Sequence, residues 1–349
     1  MQPGAGSSRR PAAGARVAVV TGASAGIGRA TAQAFARRGW RVALIARGAA
    51  GLQAARAEVE KLGGEAMVIE ADVGNAPEVD RAAREVVDRW SRIDVWVNNA
   101  MLTTFGPADT VTPAEWDRVT QVTYLGAVHG TLAALRHMRV AGRGVIVQVG
   151  SALAYRSIPL QAPYCAAKSA LRGFTDSLRC ELLHDGSPVR LTMVHLPGVN
   201  TPQFGWSRTH MPRRHRPVGT VYQPDAAAEA IFDAAIAAPR EAWVGVPVLE
   251  AVLGTFLAPS LLDEVLARRA YEPQLAAEAR DTRFDILDAP APDDHGKDGP
   301  YPDGARPRAL SIDPVWVRGT IASALLGAFA VALLTRKRPL QAGAGARRP

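Results

Sequence analysis

From Ala15 onward, short apolar runs alternate with longer stretches of helical periodicity, and this alternation constrains the chain more than any other feature. The apolar runs fall at 17–20, 42–45, 66–69, 95–97, 145–149 and 191–194. The helical stretches fall at 27–38, 52–62, 77–90, 113–139 and 164–183. Short apolar runs flanked by Gly or Asp read as strands buried on both faces. Strand–helix alternation at this spacing implies right-handed crossovers and a doubly wound parallel sheet in a three-layer α/β/α arrangement. A helix near 225–237 and a strand near 242–246 complete the predicted sheet.

The chain has 349 residues, 48% of them hydrophobic, which is enough for one large domain and more besides. The net charge is +8, carried almost wholly by scattered arginines with no basic stripe, which argues against nucleic acid as a partner. Cys165 and Cys180 fall on one predicted helix, about 22 Å apart at ~1.5 Å per residue, so no disulfide is expected. That fits a reducing compartment. His129, His137, His184 and His195 show no metal-ligand spacing, and no metal is expected.

The expected organisation is a disordered lead at 1–14, a catalytic domain at 15–250, a helical extension at 251–287 and a Pro/Asp/Gly-rich linker at 288–314. A candidate membrane helix at 315–335 and a basic tail at 336–349 follow. Leu249, Val252, Leu253 and Phe256 share one face of a helix expected over 247–272. The lead lacks the apolar stretch of a secretory signal. In 315–334 the only charge is Arg318, and Gly319, Ser323 and Gly327 recur at four-residue spacing, which suits close helix contact in lipid. Membrane association is therefore expected, with the catalytic domain on the cytoplasmic side. Basic residues flank the segment on both sides, so spanning the bilayer and lying in its interface both stay open.

The first strand runs into Thr21-Gly22-Ala23-Ser24-Ala25-Gly26-Ile27-Gly28, and a helix follows directly. Backbone N–H groups at a helix N-terminus, with glycines that allow close approach, make a phosphate-binding turn. The second strand ends in Ala46-Arg47 where a carboxylate would bind ribose hydroxyls. An arginine there suits a 2′-phosphate, so Arg47 points to NADP(H).

The strand at 145–149 ends at Gly150-Ser151. Tyr164 lies thirteen residues on and Lys168 four further, on the same helical face. Reduction of a carbonyl needs a proton donor at the developing alkoxide, and a tyrosine titrates near 10 unless a cation stabilises its phenolate. Lys168 is the only lysine within a hundred residues on either side. Ser151 can hydrogen-bond the substrate oxygen and orient it.

Thr21–Gly28, Asp72-Val73, Asn98-Asn99-Ala100, Ser151, Tyr164-Cys165-Ala166-Ala167-Lys168 and Pro197-Gly198 stand in an order that resembles the short-chain dehydrogenase/reductase family over about residues 15–245. The resemblance implies a Rossmann-like fold. It implies that Ser151, Tyr164 and Lys168 are catalytic. It also implies that Gly22, Ser24, Gly26, Ile27, Gly28, Arg47, Asp72, Val73, Asn98, Ala100, Tyr164, Lys168, Pro197, Gly198, Val199 and Thr201 bind the cofactor. Three positions depart from the pattern: Met101 replaces the usual Gly, Thr123 replaces the usual catalytic Asn, and Pro197–Thr201 is one residue short. Met101, Leu102, Leu153, Phe204 and Trp206 come from segments that line the family's substrate cleft, and their apolar character suggests a hydrophobic substrate. The Arg213-Arg214-His215-Arg216 run reads as a solvated loop, with an anionic substrate or lipid headgroups as rival readings. The expected activity is reversible hydride transfer between NADP(H) and an apolar ketone, aldehyde or secondary alcohol. The alternative is a non-catalytic NADPH-binding module on a membrane. The sequence leaves a homo-oligomer open.

Overall fold

A computed structural model describes residues 14–280 and 284–317, together with Gly319, Thr320, Ser323, Leu326 and Val331. Eight strands form the main sheet: β1 (Val17–Thr21), β2 (Arg41–Ala46), β3 (Glu65–Glu70), β4 (Val95–Asn98), β5 (Gly144–Ser151), β6 (Val189–Leu196), β7 (Glu241–Val244) and β8 (Ser311–Ile312). Their spatial order is β8-β7-β6-β5-β4-β1-β2-β3. All neighbours pair in parallel except β7 and β8, which are antiparallel. The sheet is thus the doubly wound parallel sheet expected from the alternation. The strand order turns back between β1 and β4, and in such sheets ligands bind beyond the carboxyl ends of the strands at that reversal.

The helices are α1 (Gly26–Ala36), α2 (Ala49–Lys61), α3 (Ala76–Trp90), α4 (Pro113–Thr120), α5 (Gly126–Ala141), α6 (Ala162–His184), α7 (Gln203–Trp206), α8 (Pro224–Ala237), α9 (Val246–Leu257) and α10 (Pro259–Arg269). They cover both faces of the sheet. One apolar cluster joins β1, β2, α1 and α8 through Phe35, Trp40 and Phe232. The other joins the opposite face to α3, α5 and α6 through Val86, Trp96, Met138 and Leu178. In α3, Val79, Ala82, Ala83, Val86 and Trp90 are the buried residues, the spacing of a single apolar stripe.

Two long helical patterns break where the sequence alone suggested continuity. The stretch expected over 113–139 is α4, a π-helical turn at Gln121–Leu125, and α5. Its start is fixed by a capping box between Thr112 and Glu115. The helix expected over 247–272 ends at Leu257 and restarts at Pro259, because proline has no N–H to continue the ladder.

The chain divides into two compact units, Met1–Ile312 and Asp313–Pro349. Residues 288–314, expected as a linker, instead pack onto the first unit as far as Ile312 and supply β8. The Arg213–Arg216 run, expected as a solvated loop, contributes a strand at Arg213–His215 that pairs with Leu275–Ala279, and His215 stacks on Phe105. In the second unit, the Asp313 carboxylate accepts the Val315 N–H and opens a helical turn. Among the described residues, no helix is long and apolar enough to cross a membrane. Most of the 315–335 segment, all of the 336–349 tail and residues 1–13 of the lead lie outside the described residues.

Candidate active site

β1 ends in a turn that needs glycine. Gly22 has φ +66° and Gly26 φ +54°, both in the left-handed region. A Cβ on Gly22 would stand 2.8 Å from the Cα of Ala100. The turn therefore packs directly against the loop after β4 and leaves a backbone-lined cradle above the α1 N-terminus. An extended pyrophosphate fits such a cradle. Gly28 serves it from behind: a Cβ there would lie 2.2 Å from the Gly22 carbonyl oxygen, so this glycine lets α1 approach β1.

The cleft above the strand ends has a volume of about 520 Å³. Gly22, Ser24, Gly26, Ile27, Arg47, Asp72, Val73 and Ala100 line one end. Ser151, Tyr164, Lys168, Pro197, Gly198, Val199 and Thr201 line the middle. Two expected cofactor residues do not line it. Gly28 is taken up by packing, and Asn98 faces the interior. The Asn98 amide donates to Thr131 and Gln148, and its carbonyl accepts from the Trp96 indole. The neighbouring Asn99 lines the cleft instead and donates to the Thr21 carbonyl, bracing the turn. Asn98, the last residue of β4, faces the core, and Asn99, just past the strand end, turns to the cleft.

Tyr164 and Lys168 rise from α6 toward the end of β5. The Ser151 side chain stands beside the Tyr164 phenol in the cleft. The Lys168 ammonium is buried, donates to the Val149 carbonyl at 2.7 Å, and lies 5.6 Å from the Tyr164 ring centre. Burial pushes the Tyr164 phenol above its ordinary pKa, and the neighbouring Ser151 side chain pulls it part of the way back. Burial lowers Lys168 to about 8.

Thr123, in the π-helical turn, exchanges two hydrogen bonds with the backbone of Leu102, each 2.8 Å. Its hydroxyl proton is committed to that loop. Beneath Ser151 lies His195, which the sequence marked only as a histidine without metal-ligand spacing. His195 Nδ1 is 3.2 Å from the Ser151 carbonyl oxygen, which can only accept, so Nδ1 carries the proton. Burial lowers the imidazole to about 4, against the pull of nearby Glu241, which also accepts from Tyr155.

At the nucleotide end, Arg47 donates to the carbonyls of Ile286 and Leu287. Arg118 also donates to Leu287 and pairs with Asp72. Arg29, buried at the first turn of α1, holds Glu58 and Asp294. Nothing in the spacing of Arg29 or Arg118 marked them, because their partners are remote in sequence. At the other end, Met101, Leu102, Leu153, Phe204 and Trp206 all line the cleft as expected, joined by Leu262 and Leu266 of α10.

A short chain dehydrogenase family model matches residues 16–211. The chain belongs to the short-chain dehydrogenase family. An uncharacterized oxidoreductase, YxnA, of Bacillus subtilis is 35% identical over 267 residues, covering 75% of this chain and 74% of that protein. A metagenomic short-chain oxidoreductase solved in complex with NADP is 32% identical with a TM-score of 0.54, over 66% of this chain and 92% of that one. The alcohol dehydrogenase of the archaeon Thermococcus sibiricus, solved with 5-hydroxy-NADP, is 30% identical with a TM-score of 0.54, over 62% and 88%. This short-chain dehydrogenase is thus an oxidoreductase by family, and its Rossmann-like sheet matches theirs.

Proposed function

We propose that the protein is an NADP(H)-dependent oxidoreductase that interconverts an apolar ketone or aldehyde and the corresponding alcohol. The observation that carries this reading is the convergence of Ser151, Tyr164 and Lys168 on the floor of one cleft, between a glycine cradle and an apolar end. Arg47, at the end of β2 where no carboxylate stands, supports the phosphorylated form of the cofactor.

The nicotinamide, when bound, supplies or accepts the hydride. Every other task falls to the chain. In the reductive direction the carbonyl π bond breaks as the carbon gains the hydride, and the Tyr164 phenol delivers its proton to the oxygen. The Ser151 hydroxyl donates to the same oxygen and fixes its position. The Lys168 ammonium stabilises the phenolate that is left. Leu102, Leu153, Phe204 and Trp206 exclude water from the reacting carbon.

The test is turnover of a panel of apolar carbonyls and alcohols, with NADPH binding measured in parallel. Tyr164→Phe should lower kcat at least about a hundredfold, the usual scale for loss of a general acid, while NADPH still binds. Arg47→Ala should weaken NADPH about tenfold or more, the scale of one charge-assisted contact, and leave NADH unchanged. Substantial turnover by Tyr164→Phe sinks the catalytic assignment. Binding without turnover on every substrate favours a non-catalytic NADPH module, the reading that the occupied hydroxyl of Thr123 motivates. The uncharged run at 319–334 supports a further reading, that the C-terminal segment holds the catalytic domain at the cytoplasmic face of a membrane. Recovery of the full chain in the supernatant after membrane pelleting without detergent would remove it.

A further inference from the structure

Residues 284–301 cross the dinucleotide cleft from end to end. The segment, Phe-Asp-Ile-Leu-Asp-Ala-Pro-Ala-Pro-Asp-Asp-His-Gly-Lys-Asp-Gly-Pro-Tyr, has no regular secondary structure and carries five aspartates against one lysine. Its first end is anchored beside Arg47. The Ile286 N–H donates to the Trp206 carbonyl, Leu287 is 1% exposed within the apolar cluster that includes Val73 and Val122, and Asp285 pairs with Arg208 at 2.9 Å. Its second end is anchored beside Thr201. The Gly299 N–H donates to the Asn200 carbonyl and the Tyr301 N–H to the Asn200 side chain. Gly299 fits so closely that a Cβ would stand 2.4 Å from the Thr201 carbonyl oxygen.

Between these anchors, residues 288–298 are mostly exposed. Four polar ties hold this middle part: Asp288 on Arg208, the Asp294 carboxylate on Arg29, the Gly296 carbonyl accepting the Gly26 N–H at 3.2 Å, and Lys297 on Asp225; the Arg29 and Gly26 ties lie at the phosphate cradle. Ile286, Pro290, Ala291, Asp293 and His295 form a wall of the same cleft that Gly22, Arg47 and Ser151 line, and the cleft stays hollow beneath them.

We propose that residues 284–301 are a strap that gates the cofactor: a dinucleotide passes in or out only when the middle of the strap lifts off Arg29 and Gly26. This rests on the dinucleotide reading of the cleft. A hollow under a roof with two anchored ends and a middle held by solvent-accessible ion pairs and one backbone bond is the arrangement of a lid rather than a plug. Because opening precedes both entry and exit, loosening the strap speeds both and leaves the equilibrium nearly unchanged. The main tie is ionic, and its carboxylate is about 40% exposed, so added salt acts in the same direction.

The test is stopped-flow binding of NADPH to the full chain, wild type against Asp294→Asn, with Asp298→Asn as a charge control. Asp294→Asn should raise the association and dissociation rate constants together, each roughly tenfold as one charge-assisted contact is weakened, with Kd changing less than about twofold. The control should match wild type. Equal rates in wild type and Asp294→Asn overturn the gate while leaving NADPH binding intact. A Kd lowered through association alone also overturns it, because the strap would then compete for the cofactor's own contacts. Absence of NADPH binding by every form removes the dinucleotide reading itself. Hydrogen exchange on the cofactor-free wild type gives a variant-independent check. The Gly26 and Gly299 amides both lie under the strap's bonds, and Gly26 should exchange far faster. Equal protection at the two sites overturns separate opening of the middle.

Discussion

Lys168 and Tyr164 are the residues on which chemistry and burial pull hardest against each other. Burial lowers Lys168 to about 8 and raises Tyr164, so near neutral pH both hold their protons. The reductive reaction needs both protonated. Reductive kcat should therefore hold steady below pH 8 and fall about tenfold per unit above it, as the ammonium is lost. A flat profile through pH 9.5 would remove Lys168 from the proton transfer. Thr123 invites a second measurement. Thr123→Val keeps the shape but leaves the buried N–H and carbonyl of Leu102 without their 2.8 Å partners. Each orphaned group costs about 1–3 kcal/mol, so urea unfolding should show a loss of about 2–6 kcal/mol. A loss below 1 kcal/mol would mean the loop finds other partners.

At the scale of elements, two glycines in helices separate packing from propensity. In α1, a Cβ on Gly28 would meet the backbone of the phosphate cradle at 2.2 Å, and backbone cannot swing aside. Gly28→Ala should weaken NADPH at least about tenfold, read by fluorescence titration, as near-attack and cradle geometry are lost with small displacements. In α6, a Cβ on Gly173 meets nothing within 4 Å. Gly173→Ala should stabilise the protein by about 0.5–1 kcal/mol, the ordinary gain of alanine over glycine in a helix. The same chemical change is thus expected to harm the cradle in one helix and to stabilise the other, and NADPH titration of the first variant and urea unfolding of the second decide it. The break between α9 and α10 was missed by the continuous helix expected over 247–272, although Pro259, whose missing N–H ends the ladder, stood in the sequence.

For the whole molecule, acid is the revealing perturbation. His195 and His215 lie in different parts of the first unit, and burial lowers each to about 4. Unfolded, each would titrate near 6.5, so between about pH 6.5 and 4 the unfolded chain binds more protons and stability falls as pH falls. The loss should approach about 3 kcal/mol for each imidazole at pH 4, and urea midpoints at pH 7 and 4.5 measure it. Equal midpoints would mean that neither ring is buried neutral. Much of this protein follows from sequence alone. Apolar runs between helical stretches dictated the parallel sheet, because strands buried on both faces have no other economical arrangement. The positions of Ser151, Tyr164, Lys168 and the glycine turn were legible for a related reason: each depends on local spacing at a strand end or along one helical face. What local spacing does not encode, only the tertiary structure decided. The exchange of Asn98 for Asn99 followed from the face of β4 that meets the core. The π turn formed where Thr123 found Leu102. The residues expected as a linker became a strap and an edge strand because Arg29, Arg47, Asn200 and Trp243, all distant in sequence, offered the partners that hold them.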